Sequence, residues 1–412
     1  MIIRSSKLIT LNQDTRPIPD GAVVVIHGIV KDIGFAERII KRYPHHNVIE
    51  LKHSVLMPGL VNAHTHLELP PLLESIKAPT FPEWVLNLIR RKKNLTAADY
   101  STATASNIES LIQCGTTTVG EICTHNMSPL ILQRCGLRGL IFREVISMDP
   151  SLPVPMLTPP GFHRSRLVTF GYSPHSPYTV DESMLRRLNK LAATKGIRLC
   201  MHVAESRDEV NLLQRKKSGL SKLYHFANWD IEQAPLGRSS FDYLRNIGLL
   251  SPNLLAIHAV QITDRDMRLI KRSGTSLVHC PRSNSSLGVG RMPLKKLLDA
   301  GIPIGLGTDS LASSSSLNLW DEMRYAYQIH RNDGITALDL LRLATQGGAT
   351  ALGMDKSIGT LEPGKSADFI VVPLPRKNTG DIYKDLLRET KYSTMTVVNG
   401  KILWKGTPHA GS

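Results

Sequence analysis

The sequence predicts an α/β protein: a (β/α)8 TIM barrel with a small β-sandwich domain formed by both termini. Three observations predict it. Apolar strand-like runs recur through the middle of the chain, each followed by a helical stretch: GLVNAHTH, GTTTVGEI, LRGLIFREV, LVTFGYSPH, IRLCMHVAES, LLAIHAV, TSLVHCP and IPIGLGTDS. Such alternation implies a parallel sheet, and eight units of it close into a barrel. The two ends have another texture, short alternating strands punctuated by Gly, Asn and Pro. Finally, polar residues end nearly every central run, where a barrel of this kind carries its active site.

Taken in order, residues 1–57 hold the strands KLITL, GAVVVIHGIVKDIG and NVIELKHSVLMP, and the last fifty residues repeat the pattern in ADFIVVPL and TMTVVNGKILWKG. Asn399-Gly400 marks a hairpin in the latter. The expected division is a sandwich domain of residues 1–57 plus 363–412 and a metal-dependent catalytic barrel of residues 58–362.

With 412 residues, 42% hydrophobic and 21% charged, the chain is long enough for both units and ordinary for a globular protein. The cysteines Cys114, Cys123, Cys135, Cys200 and Cys280 form no C-x-x-C pair and no disulfide framework, which fits a reducing cytoplasm. MIIRSSKLITLNQD lacks the apolar stretch of a signal peptide, and no segment approaches the ~20 apolar residues of a membrane span. The net charge of +15 is compatible with an anionic ligand. Its clusters are short (Arg90-Arg91-Lys92-Lys93, Arg186-Arg187, Arg215-Lys216-Lys217) and read as solvated faces, with no nucleic-acid motif beside them.

The candidate site lies at the run ends: His64 and His66 on the first, His202 on the fifth, His258 on the sixth, His279 on the seventh and Asp309 on the eighth. Neutral imidazoles and a carboxylate are the ligand set of Zn²⁺ or Fe²⁺. Residues i and i+2 of a strand point the same way, so His64 and His66 can both face the barrel axis. His45, His46, His53, His225 and His409 read as ordinary histidines. Glu205, three residues after His202, is placed to take the proton of a metal-activated water without ligating the metal.

These motifs carry a resemblance. PGLVNAHTH, GTTTVGEI, SPHSPYTV, HVAES, HCPRSNSSLG, GTDSLASSSSLN and GTLEPGKSADFIVV together resemble the amidohydrolase superfamily, in its branch of purine and pyrimidine deaminases and s-triazine hydrolases. The resemblance spans almost the whole chain. It implies that His64, His66, His202 and Asp309 hold one divalent metal, Zn²⁺ or Fe²⁺, that Glu205 is the proton shuttle, and that His258 orients the water. Asp309 would take a second proton. Two-metal relatives carry a bridging lysine on the fourth strand; LVTFGYSPH has none, with His175 near its end, so a single metal is expected.

The expected reaction is hydrolytic deamination of an adenine nucleoside. Phe81 and Trp84, in FPEWVLNLIRRKKNL, would cover the base or belong to an amphipathic lid helix. S-adenosylhomocysteine deaminases usually carry an acid after that Trp to grip the ribose; LIRRKK has none. HTHLEL, HCPRSN and DSLASSSSLNLWDEMR more closely resemble aminodeoxyfutalosine deaminases of the alternative menaquinone pathway, whose substrate ends in a benzoate. Arg143 or Arg282 would meet that anion, His175 and Asn284 (the latter in the same HCPRSN motif) are substrate-binding candidates, and Glu68 would reach the ribose or orient a ligating histidine. S-adenosylhomocysteine or 5′-methylthioadenosine deamination, s-triazine chlorohydrolysis and a non-catalytic scaffold are the alternatives. The partners expected are a small nucleoside and water, without nucleic acid or membrane; a homodimer stays open.

Overall fold

The structure is a computed structural model that describes residues 1–163 and 165–406; His409 lies outside them. The N-terminal strands are β1 (Ile2–Leu8), β2 (Ile18–Ile26), β3 (Ile29–Phe35) and β4 (Val48–Pro58). Eight strands follow: β5 (Leu60–Thr65), β6 (Thr116–Cys123), β7 (Arg138–Val145), β8 (Val168–Pro174), β9 (Leu199–Val203), β10 (Leu254–His258), β11 (Ser276–His279) and β12 (Ile304–Leu306). The chain ends in β13 (Phe369–Pro373), β14 (Met395–Val398) and β15 (Lys401–Lys405).

Strands β5 to β12 lie side by side in chain order, all parallel, and match the eight apolar runs of the sequence. Both faces of these strands are buried, which is why they read as apolar runs without polar alternation. One face packs inside the barrel, through Val61, Ala63, Ile122, Leu140, Phe142, Cys200, Leu255, Ile257, Val278 and Cys280. The other packs on the helices, with Leu199, Met201, Leu254 and Leu277 against Leu188, Leu244 and Trp320. Closure comes where β5 meets the residues after β12. The amides of Thr308 and Asp309 donate to the His64 carbonyl at 3.0 and 3.2 Å, and Asn62 Nδ2 donates to Thr308 Oγ1 at 2.8 Å.

The termini form one mixed sheet of seven strands in the order β15-β14-β13-β4-β1-β2-β3. Its strands share a core of Ile3, Val23, Val30, Leu56, Phe369, Met395 and Val397, so the domain expected from both termini is built on one mixed sheet. Its two hairpins meet: Asn399-Gly400, at the expected turn, packs against Gly28 of the β2–β3 turn, and both pairs have the positive φ of a tight hairpin. Gly59 alone separates β4 from β5, and a Cβ there would lie 2.2 Å from Thr117 Oγ1. The first barrel strand is therefore fixed by the sheet that precedes it. No helix among the described residues is long and apolar enough to cross a membrane.

Candidate active site

His64, His66, His202 and Asp309 converge at one end of the barrel, their ligand atoms all within 4.8 Å of one another. Three local devices aim them. His202 shares the inner face of β9 with Cys200, as strand alternation requires. His64 follows the inward Ala63 directly, so simple alternation would turn it outward; the register of β5 on β6 slips between Asn62 and Thr65, a bulge that re-aims it. Asp309 has a left-handed backbone, φ 57°.

Protonation and hydrogen bonding prepare the four groups as ligands. Burial lowers His64 to about 4 and His66 well below its ordinary value, so both imidazoles are neutral near pH 7. Burial opposes ionisation of Asp309, but the facing His64, His66 and His258 rings outweigh it and hold the carboxyl well below the usual range. Asp309 Oδ2 accepts from Ser283 (2.6 Å) and Ser313 (3.0 Å), while Oδ1 faces His66 and His64 at 3.4 and 3.6 Å. His202 Nδ1 lies 2.8 Å from the His175 carbonyl, which leaves Nε2 as its donor to a metal. Both ring nitrogens of His64 are buried, with no hydrogen-bond partner among the described residues. An orphaned buried imidazole beside two further imidazoles and a carboxylate is a donor set that fits a divalent metal.

Beside the four, Glu205 Oε1 lies 3.4 Å from His258 Nε2. Burial raises Glu205 to about 8 and lowers His258, so this contact joins a carboxylic acid to a neutral imidazole near pH 7. His258 Nδ1 pairs with Asn284 Oδ1 at 2.8 Å, fixing the tautomer that presents an Nε2 lone pair to Glu205. The turn carrying Glu205 is gripped by Glu209, whose carboxylate accepts from the amides of Ala204 (2.8 Å) and Glu205 (3.0 Å). Left-handed backbone at Ala204, His258 and Ala259 joins that of Asp309 here. Such non-glycine conformations cost roughly 1–3 kcal/mol each and persist where the surroundings over-determine them, as at active sites.

Above these groups opens a largely apolar cavity. One wall is the helix Phe81–Lys92, whose residues Phe81, Trp84, Val85, Leu88, Ile89 and Lys92 all line it at helical spacing. Phe81 and Trp84 stack with centroids 6.4 Å apart. Leu223, Trp229 and Leu287 pack in one cluster with them, and Thr124, Glu144 and His175 also line the cavity.

The sequence profile of the amidohydrolase family matches residues 55–403. The chain belongs to the amidohydrolase family. It is a hydrolase acting on carbon–nitrogen bonds. Over 410 residues it is 29% identical to the 5-methylthioadenosine/S-adenosylhomocysteine deaminase of Syntrophobacter fumaroxidans, covering 94% of this chain and 87% of that one. Two solved structures share the fold. Helicobacter pylori aminofutalosine deaminase in complex with methylthio-coformycin superposes with a TM-score of 0.84 at 23% identity, over 97% of this chain and 99% of that one. A Xanthomonas campestris adenosine deaminase with bound zinc gives 0.82 at 23% identity, over 98% and 92%.

Several expected positions lie elsewhere in this amidohydrolase. His279 ends its strand but shares the outer face of β11 with Leu277, since Val278 and Cys280 point inward; its Nε2 meets His330 Nε2 at 3.2 Å, away from the four ligands. Glu68 lines the cavity, yet both oxygens are taken: Oε2 accepts from the amides of Thr124 (3.0 Å) and His125 (2.6 Å), Oε1 from those of Met127 (2.8 Å) and Ser128 (3.2 Å). It pins the turn before the helix Ser128–Cys135 and is not available to a ribose or to a ligating histidine. Arg282 is absent from the cavity lining; it bonds Ser315 and Ser316 and faces Glu322 at 3.6 Å. Arg143 bonds Asn126 and is likewise absent from the lining. Asn284 stands behind His258, a positioning residue and not a substrate contact.

Three residues escaped the sequence reading. Glu209 follows Glu205 by four positions in HVAESRDE, a spacing that was available. Glu144 shares the inner face of β7 with Leu140 and Phe142, so the two-residue period selects it over its neighbour Arg143. Lys92 repeats the spacing of Trp84 and Leu88, and the cluster read as a solvated face turns this one member inward.

Proposed function

We propose that the chain is a metal-dependent hydrolytic deaminase of a 5′-substituted adenine nucleoside. One observation carries the reading: a buried, neutral Glu205 beside His258, next to the four metal ligands on the floor of an aromatic-walled cavity. The similarity to a 5-methylthioadenosine/S-adenosylhomocysteine deaminase over nearly the whole chain supports the same class.

A divalent metal, Zn²⁺ or Fe²⁺, held by His64, His66, His202 and Asp309 would supply the Lewis acidity that makes water nucleophilic near neutral pH. The rest falls to side chains. Phe81 and Trp84 cover the purine so that C6 faces the ligand cluster. Glu205, protonated at the outset, gives its proton to the ring nitrogen beside C6, which relieves the cost of breaking aromaticity, and as a carboxylate it then takes the proton that the attacking water loses. His258, locked by Asn284, orients the attacking oxygen through Nε2. Asp309 accepts the second proton and returns it to the departing amine, so that one water enters and one ammonia leaves. Glu144, whose Oε2 takes the Thr124 hydroxyl at 2.6 Å, offers its other oxygen to the ribose in the role expected of Glu68.

The apolar helix face beyond the base suits an apolar 5′ tail. 6-Aminodeoxyfutalosine, from the futalosine route to menaquinone, carries an aryl tail and is the first candidate. 5′-Methylthioadenosine, favoured by the sequence relative, is the second. The kcat/KM values for both, for S-adenosylhomocysteine and for adenosine, with ammonia quantified, test the reading. Turnover of at least one tailed nucleoside above adenosine is expected. Chloride release from a chlorotriazine with no ammonia from any nucleoside would overturn it.

A further inference from the structure

Apolar residues along one face of the helix Phe81–Lys92 end in a cation. Lys92 lines the cavity with Phe81, Trp84, Val85, Leu88 and Ile89. It is eight residues beyond Trp84, roughly 12 Å along the helix axis at 1.5 Å per residue.

The neighbouring cations are committed elsewhere. Arg90 and Lys93 lie over the Phe226 ring at 5.7 and 5.1 Å, on the outside of the helix. Arg143 is bonded to Asn126, and Arg282 is held against Glu322. Lys92 uses its backbone carbonyl to accept the Tyr100 hydroxyl at 3.4 Å, but among the described residues no carboxylate lies within ion-pair distance of its ammonium. An unpaired, half-buried ammonium facing an apolar cavity costs stability unless a ligand supplies its counter-charge.

We propose that Lys92 is the specificity-determining residue of this site, reading a carboxylate at the far end of an apolar 5′ tail on the nucleoside. The substrate class is then a 5′-substituted adenosine whose tail crosses Val85, Leu88 and Ile89 and places an anion about 12 Å from the base stacked at Trp84. A neutral tail fills the same channel and leaves the ammonium unpaired; a zwitterionic amino-acid tail brings its own cation to Lys92. The inference rests on the adenine-nucleoside reading of the site.

The test uses product-like hypoxanthine nucleosides, which bind without turnover. Two are compared on the metal-loaded enzyme by titration calorimetry: one with a neutral 5′-methylthio tail, one with a 5′-thio arm ending in a carboxylate. A charge-assisted hydrogen bond of this kind favours the anionic ligand by about 10-fold or more in Kd. In Lys92→Met and Lys92→Gln that ratio should fall to about one, and in Lys92→Arg it should persist. Equal affinities in the wild type, or an anion preference that survives in both neutral variants, overturns the assignment of Lys92 and leaves the nucleoside reading standing. If neither ligand binds the wild type, the nucleoside reading fails and takes this inference with it.

Discussion

Asn284 and the His175 carbonyl do similar work at the residue scale: each pairs with one ring nitrogen and thereby assigns the other to chemistry. Glu205 depends on that arrangement, because its partner His258 must present a lone pair. Glu205→Gln keeps the shape and removes the exchangeable proton. Its kcat should fall by ~10²-fold or more while metal analysis still finds about one divalent ion per chain; near-normal turnover would move the proton work to another group. A second buried acid, Glu322, touches stability. Burial raises it to about 8 from the ordinary 4.5, against the pull of Arg282. A carboxyl whose pKa is raised by folding contributes stability that is complete below 4.5 and lost as pH climbs to about 8. Glu322→Gln stays neutral throughout, so the melting temperature of the wild type should fall more steeply between those limits than that of the variant. Parallel profiles would show that Glu322 ionises normally in the fold.

Among the elements, the joint at Gly59 and the helix Phe81–Lys92 decide where the chemistry sits. A single residue links the terminal sheet to the strand that carries His64 and His66, and there is no room for a side chain on it. Gly59→Ala should destabilise the protein by about 1–3 kcal/mol in urea unfolding, as an overpacked core position does; an unchanged midpoint would mean the Thr117 side chain gives way freely. The barrel strands were legible because parallel strands buried on both faces spell out apolar runs, and the ligands were legible because they end those runs. What escaped was direction. His279 ends a run as His258 does, yet one points out and the other in, because a left-handed residue at 258 breaks the two-residue period and nothing breaks it at 279. Arg143 drew attention by its charge, whereas Glu144 faces inward by simple alternation. Glu68 looked free because amides that would occupy it, those of residues 124 to 128, leave no mark in side-chain chemistry.

For the whole molecule, barrel closure is what assembles the site. His64 and Asp309 are separated by most of the chain, and the same hydrogen bonds that join β5 to the segment after β12 bring the two ligands together. The domain expected from the termini is built on one mixed sheet of seven strands, joined to the first barrel strand through Gly59. The central claim, that this closure builds a hydrolytic deaminase, is open to one direct measurement: mass analysis of the nucleoside product after turnover of 5′-methylthioadenosine or 6-aminodeoxyfutalosine in oxygen-18 water. The account predicts a 6-oxopurine product carrying a single heavy oxygen at C6, with ammonia released in equal amount. A product without the heavy oxygen, or cleavage elsewhere in the nucleoside with the 6-amino group intact, would contradict it.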